Sequence, residues 1–238
     1  DVDFEGHRLV GGGPGYDNYR GYIQVYDWND QTDNWDSINI VNGPEPGGGF
    51  GEAVSMDYDG RRIIVGAPWV SGGGRVYVLD YGNNGQFSVT QTISPGHASF
   101  GFSVSIAGDR ADRFVAGAPD INTIYVYQQG SNGQFGLDYS NVGTDIVNDV
   151  PVNNGGTTRL TLYPKFNGYG YSVSMSGFGE HIVVGAPGTE ILEISPSSDH
   201  GTNTPGPVTH RLGYHMLPST GPHYTGTVGY NVSAQMGA

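Results

Sequence analysis

Three stretches of this chain repeat one another with their key positions in register. Phe50 opens FGEAVSMDYDGRRIIVGAPWVSGGGRVYVL, Phe100 opens FGFSVSIAGDRADRFVAGAPDINTIYVY, and Tyr169 opens YGYSVSMSGFGEHIVVGAPGTEILEI. In each, an aromatic-Gly pair leads to Gly-Ala-Pro about sixteen residues later. A fixed internal period means that one supersecondary unit is repeated and that neighbouring units bury each other.

The unit reads as strands and tight turns. Val54, Val104 and Val173 stand beside small polar residues in the alternation of a half-buried strand. Asp59-Gly60, Gly108-Asp109 and Gly177-Phe178-Gly179 follow as turns that tolerate positive φ. The second strand is a short apolar run, Ile63-Ile64-Val65, Phe114-Val115-Ala116 or Ile182-Val183-Val184, expected to be buried on both faces. Gly-Ala-Pro ends it, because proline has no N–H for the ladder while Gly and Ala let a neighbouring backbone come close. Third strands are Val76-Tyr77-Val78-Leu79 and Ile124-Tyr125-Val126-Tyr127, and the repeated turns Asn83-Asn84-Gly85 and Ser131-Asn132-Gly133 lead into fourth strands. Each unit is thus predicted to be a four-stranded antiparallel meander, too small to bury both of its faces alone. Radial stacking of such sheets gives an all-β fold, a β-propeller of four-stranded antiparallel blades.

With Gly74-Arg75-Val76-Tyr77-Val78 behind it, the aromatic-Gly and Gly-Ala-Pro pair resembles the FG-GAP repeat of the integrin α-subunit propeller and of related secreted or surface proteins. Three copies cover roughly residues 50–195, and a fourth is assembled from the two ends of the chain. Arg8-Leu9-Val10 followed by Gly11-Gly12-Gly13-Pro14 stands where the second strand and Gly-Ala-Pro stand elsewhere, with third and fourth strands from Gly21 to Tyr26 and Trp35 to Ile40. The absent front half matches Val228-Gly229-Tyr230-Asn231-Val232-Ser233. The expected organisation is one propeller domain over 1–238, with blades at about 1–45 plus 226–238, 46–96, 97–165 and 166–225. Val228, Tyr230 and Val232 would complete the blade of Leu9 and Val10, within one chain or head to tail between copies, since an uncovered strand edge is a template for pairing.

Composition narrows the range of partners. A formal net charge of −13 with only ten Lys and Arg argues against nucleic acid and anionic membrane surfaces. No apolar run approaches the ~20 residues of a membrane helix, and the absence of cysteine excludes a disulfide framework or thiol site. An extracellular or cell-surface location is what the resemblance implies. The stretch SPSSDHGTNTPGP from Ser195 reads as a solvated loop or an O-glycosylated segment, and Asn231-Val232-Ser233 is a formal N-glycosylation sequon inside a predicted strand.

Candidate sites are few. Repeats of the resembling family often hold Ca²⁺ in a D-x-D/N-x-D-G-x-x-D loop between the first two strands, where hard oxygen ligands alternate. Asp1, Asp3 and Glu5 before Gly6 come nearest to that pattern, with Leu9 near the place of its last Asp; a Ca²⁺ site and a solvated acidic turn are both open readings. Trp69, directly after Gly-Ala-Pro, faces either a binding partner or a gap between blades. His210, His215 and His223 fit no zinc spacing, and no nucleophile elbow or phosphate loop occurs. The reading is a non-enzymatic extracellular structural or adhesive module that contacts proteins, copies of itself or glycans. The alternative is a carbohydrate-active or other hydrolytic propeller with paired carboxylates in a central pocket.

Overall fold

The computed structural model describes residues 1–142, 147–151, 157–161, 168–187, 195–196 and 214–218. Strands β1 (Arg8–Gly12), β2 (Tyr22–Asn29) and β3 (Asn34–Asn42) form the first blade. The second is β4 (Ala53–Met56), β5 (Arg62–Ala67), β6 (Arg75–Tyr81) and β7 (Phe87–Ile93), and the third is β8 (Ser103–Ile106), β9 (Arg113–Ala118), β10 (Thr123–Gln129) and β11 (Phe135–Val142). A small separate sheet follows, in which β12 (Val147–Pro151) and β13 (Thr157–Thr161) form a hairpin that is later joined by β16 (Ser195–Pro196). The fourth blade pairs β14 (Ser172–Met175) with β15 (His181–Gly185), and β15 with β17 (Tyr214–Pro218). Every ladder is antiparallel, and within each blade the strands follow one another in chain order.

Turn chemistry sets these hairpins. Gly60, Gly85, Gly133 and Gly179 take the positive φ that reverses the chain between twisted strands. The third blade departs from expectation: its first turn is longer, and Ala111 rather than Gly108 or Asp109 adopts the left-handed conformation. Strand faces alternate with period two. Ile63 and Val65 pack toward the first blade while Ile64 packs toward the third, and Phe114 and Val115 divide in the same way. Burial on both faces therefore holds for β5 and β9. In β15, Ile182 and Val184 are buried but Val183 is half-exposed, because described residues cover only one face of that blade.

Consecutive blades meet through one recurring set of contacts. A Cβ on Gly12, Gly66 or Gly117 would lie 2.0, 1.9 or 2.0 Å from the carbonyl oxygen of Gly51, Gly101 or Gly170 on the next blade. Those partners hold φ near +90°, a region that L side chains rarely adopt. The glycine of Gly-Ala-Pro and the glycine of the next aromatic-Gly pair are thus two sides of one backbone contact. Polar groups reinforce it. Ser55 Oγ accepts from the Ile106 N–H (3.2 Å), Ser105 Oγ from the Met175 N–H (3.0 Å), and at the first blade Asp1 Oδ2 accepts from the Met56 N–H (2.8 Å). Further out, Asn39 Oδ1 accepts from the Phe87 N–H and Gln91 Oε1 from the Phe135 N–H.

The expected edge of the first blade is already partly filled. Val2 bridges Leu9, the Asp1 amino group donates to the Val10 carbonyl, and the Val10 N–H donates back to Asp1. Asp1 to Asp3 therefore occupy the inner edge of β1, so Leu9 and Val10 are not an open pairing edge as expected. Gly12, whose backbone groups point to the same side, has no partner on that edge among the described residues. Val228, Tyr230 and Val232 lie outside the described residues.

Candidate functional site

Two regions at the junction of the first and second blades concentrate functional groups, on opposite ends of the strands. On the loop end, Trp69 lays its ring on the connection between the blades: a Cβ on Gly49 would come within 2.2 Å of the indole, and the Trp69 N–H donates to the Gly48 carbonyl. Tyr19 meets the indole edge to face at 6.0 Å. Trp69 nonetheless stays 45% exposed, so it both fills the gap between blades and faces outward. Its neighbour is held under strain. Asp17, Asn18 and Tyr19 have φ of 47, 53 and 57°, three consecutive left-handed residues without a glycine, each costing roughly 1–2 kcal/mol. Arg20 ties this turn down, donating to Asp17 Oδ2 and to the Gly43 and Pro44 carbonyls, and Glu45 pairs with Arg75 beside it. The result is a group of exposed rings, Tyr16, Tyr19 and Trp69.

On the turn end, a cavity of about 350 Å³ is lined by the carboxylates of Asp3, Glu5 and Asp59, by Arg8 and Arg61, and by Tyr58 and Tyr81. Phe4 stacks on Tyr58 at 3.9 Å and forms part of the same corner. The acidic triplet Asp1, Asp3 and Glu5, open to reading as a Ca²⁺ site or as a solvated acidic turn, is not gathered around one point. Asp3 Oδ1 accepts from the His7 and Arg8 N–H groups, Asp1 is directed to the Met56 N–H and its own neighbour, and Glu5 faces His7. This is the hairpin of Asp57, whose Oδ1 accepts from Arg61 and Arg62, and of Ser176, whose Oγ accepts from Glu180 and His181. Among the described residues, no group of three or more His, Cys, Asp or Glu could hold a metal ion. The cavity can hold a small polar molecule between its carboxylates and the Arg61 guanidinium.

Burial shifts several groups in the second and third blades. Asp57 is pushed above the ordinary aspartate value by desolvation, opposed by the amides of Arg62 and Arg61. Tyr77 is raised by burial against the nearby Arg75 charge, and its hydroxyl and Arg75 Nε are buried with no hydrogen-bond partner among the described residues. Tyr127 is pushed up to about 12, first by desolvation and then by Tyr125.

The residues that sequence reading missed are the arginines that open the second strands. Arg8 donates to both oxygens of Asp27 on its own blade (2.6 and 2.7 Å) and to the Gly60 carbonyl on the next. Arg62 likewise joins Asp80 (2.6 Å) to the Ala111 carbonyl of the third blade. Arg113 occupies the same register position, donating to Gln128 at 2.6 Å and lying 3.5 Å from Asp138. Bidentate, half-buried guanidinium contacts of this kind are strong and geometrically selective. The signal was present as Arg8, Arg62, Arg113 and His181 before each apolar run. The side chains of His210, His215 and His223 lie outside the described residues.

No family profile matches this chain, and no curated protein matches it. Among solved structures, a 6-phosphogluconolactonase-like protein of Bacteroides fragilis superimposes with a TM-score of 0.50 and 13% identity over 91% of this chain, which spans 56% of the length of that structure. The β-propeller domain of Cps50 (Swd1) from Myceliophteria thermophila gives a TM-score of 0.48 and 10% identity, covering 89% of this chain and 70% of the other. One of these relatives in shape is named for an enzyme, but at such identities the likeness concerns the fold. The chain is all-β, a β-propeller fold built of four-stranded antiparallel blades.

Proposed function

We propose that this chain is a non-enzymatic structural or adhesive module of the FG-GAP kind, working by contact with proteins at an extracellular or cell-surface location, and that copies assemble head to tail. One observation carries the reading. The motif residues that recur are engaged in joining blade to blade, and the outer sides of the first and fourth blades leave matching halves of that joint unfilled among the described residues. The exposed aromatic group around Trp69 adds a surface suited to protein contact.

Terminal strand complementation would add to this joint. Laid along β1 in the register of β4 on β5, Val232 would face Gly11 and Ser233 would face Val10, the position that Asp1 holds. Docking of that strand therefore requires Asp1 to Asp3 to peel away. Light scattering on the full chain and on a chain lacking 228–238 tests this: long or ring-like oligomers that the deletion abolishes are the expected result, and an unchanged mass overturns strand complementation. The second reading, a hydrolase, is favoured by one feature, the cavity with Asp3, Glu5 and Asp59. Turnover of a glycan or sugar lactone that is lost in Asp59→Asn would overturn the contact reading in its favour.

A further inference from the structure

We infer that the outward side of the fourth blade docks on the outward side of the first blade of a second copy, with His181 seated against the ring pair Trp28–Trp35. This rests on the contact reading above and names its partner and joint.

Within the molecule, the arginine that opens a second strand lies over aromatic rings at the third-to-fourth-strand hairpin of the next blade. Arg8 sits 4.3 Å from the Tyr81 ring centre and 5.5 Å from that of Phe87, and Arg62 sits 5.3 Å from that of Phe135. With a guanidinium in place, Phe87 and Phe135 are only 3% and 5% exposed. In the first blade the cross-strand pair Trp28–Trp35 stands where Tyr81–Phe87 stands in the second. Its rings meet edge to face at 5.3 Å and remain half-exposed, and among the described residues no cation lies on them. Indole is the ring that attracts a cation most strongly. Leu9 and Tyr26 share that side of the blade and are half-buried as well.

The fourth blade presents the other half of the joint. His181 holds the register position of Arg62 and Arg113 and is exposed. Ser174 is exposed, whereas Ser55 and Ser105 each receive an N–H from the following blade. Val183 is half-exposed, whereas Ile64 and Val115 in its place are fully buried. Among the described residues, the nearest atoms to a Cβ on Gly185 belong to Ser172 of its own blade, whereas Gly66 and Gly117 abut the next backbone. Among the described residues no hydrogen bond joins 168–187 to 1–42. Every internal junction joins unlike sides, so identical chains meeting by the same contact form a heterologous interface that propagates or closes as a ring.

The experiment measures mass against concentration for the full chain, His181→Arg, Trp35→Ala and Val183→Asp, with circular dichroism verifying that each variant is folded. The full chain is expected to associate, and His181→Arg to lower the midpoint by about ten-fold, the scale of one guanidinium on an indole. Trp35→Ala and Val183→Asp should each be monomeric. Mixed together they should form two-chain species and nothing larger, because each supplies the side the other lacks. Assembly that survives both substitutions but is lost on removing 228–238 overturns this docking and leaves the contact reading in place. A full chain that stays monomeric at all concentrations, with His181→Arg doing the same, also overturns it. The contact reading itself fails separately, through the turnover test on Asp59→Asn.

Discussion

The second and fourth blades begin from nearly the same sequence, AVSMDYDGRRIIVGAP against SVSMSGFGEHIVVGAP, and meet different fates. Ile64 is fully buried and Val183 half-exposed, Ser55 is buried and Ser174 exposed, Arg62 is engaged and its counterpart is His181. The difference lies in the neighbour. A blade is a sheet with two apolar sides, and its side chains reach their packed environment only when a blade stands on both. What the repeat encodes is therefore half a joint on each side.

Substitutions that act on the joint should separate these two blades. The largest effect is expected for Gly66→Ala, whose new Cβ would fall 1.9 Å from the Gly101 carbonyl oxygen; a loss of roughly 3–5 kcal/mol or failure to fold is expected by urea titration. At Gly185 the added carbon meets the Ser172 hydroxyl, which can rotate away, so Gly185→Ala should cost about 1 kcal/mol or less. Equal losses at both positions would mean that Gly66 and Gly185 have equivalent surroundings.

Next comes Arg62→Ala, which leaves Asp80 half-buried and uncovers the Phe135 ring; about 3 kcal/mol is expected from the same titration. His181→Ala on the exposed counterpart should change the stability of the single chain by less than about 0.5 kcal/mol.

Asp57→Ala removes an acceptor from two turn amides and should cost about 2 kcal/mol, whereas Asp57→Asn keeps an acceptor oxygen and should be neutral or slightly stabilising near pH 7. Burial raises the folded Asp57 pKa above 3.8, so the folded state binds more protons than the unfolded one between 3.8 and that raised value. Its contribution to stability therefore falls as pH rises through that window and stays a fixed penalty above it. Thermal melts of Asp57→Asn across the same window should show a flatter pH dependence than the parent. The smallest effect is expected for Tyr77→Phe: removing a buried hydroxyl with no partner among the described residues should raise stability by up to about 1 kcal/mol, and a lower Tm would mean that the hydroxyl is satisfied.

Much of the fold was legible because strand and turn signals are local. Ile63-Ile64-Val65, the Asn-Gly turns and the ending proline each speak through neighbours in sequence. The joint was less legible because it is written between residues about fifty positions apart. Nothing local distinguishes Arg62, which crosses to the third blade, from Arg61 beside it. The filled edge at Val10 was missed for a related reason: Asp1 to Asp3 read as an acidic loop, while their place in the repeat, aligned with Ser55 to Asp57, reads as the end of a strand. Trp69 was legible as a ring that faces either a partner or a gap between blades, but its contact with Gly49 depends on a connection whose path no local pattern fixes. Aligned copy on copy, the repeats place the arginines and the serines at equivalent positions.

The serine that receives an amide from the following blade has a consequence for how such chains can change over time. Because Ser55 and Ser105 make the same bond in the same direction, a whole unit can be duplicated or lost without creating a contact type the molecule does not already contain. Growth by copying is then nearly free of redesign, and the number of units becomes a variable that recombination can adjust while each seam stays the same.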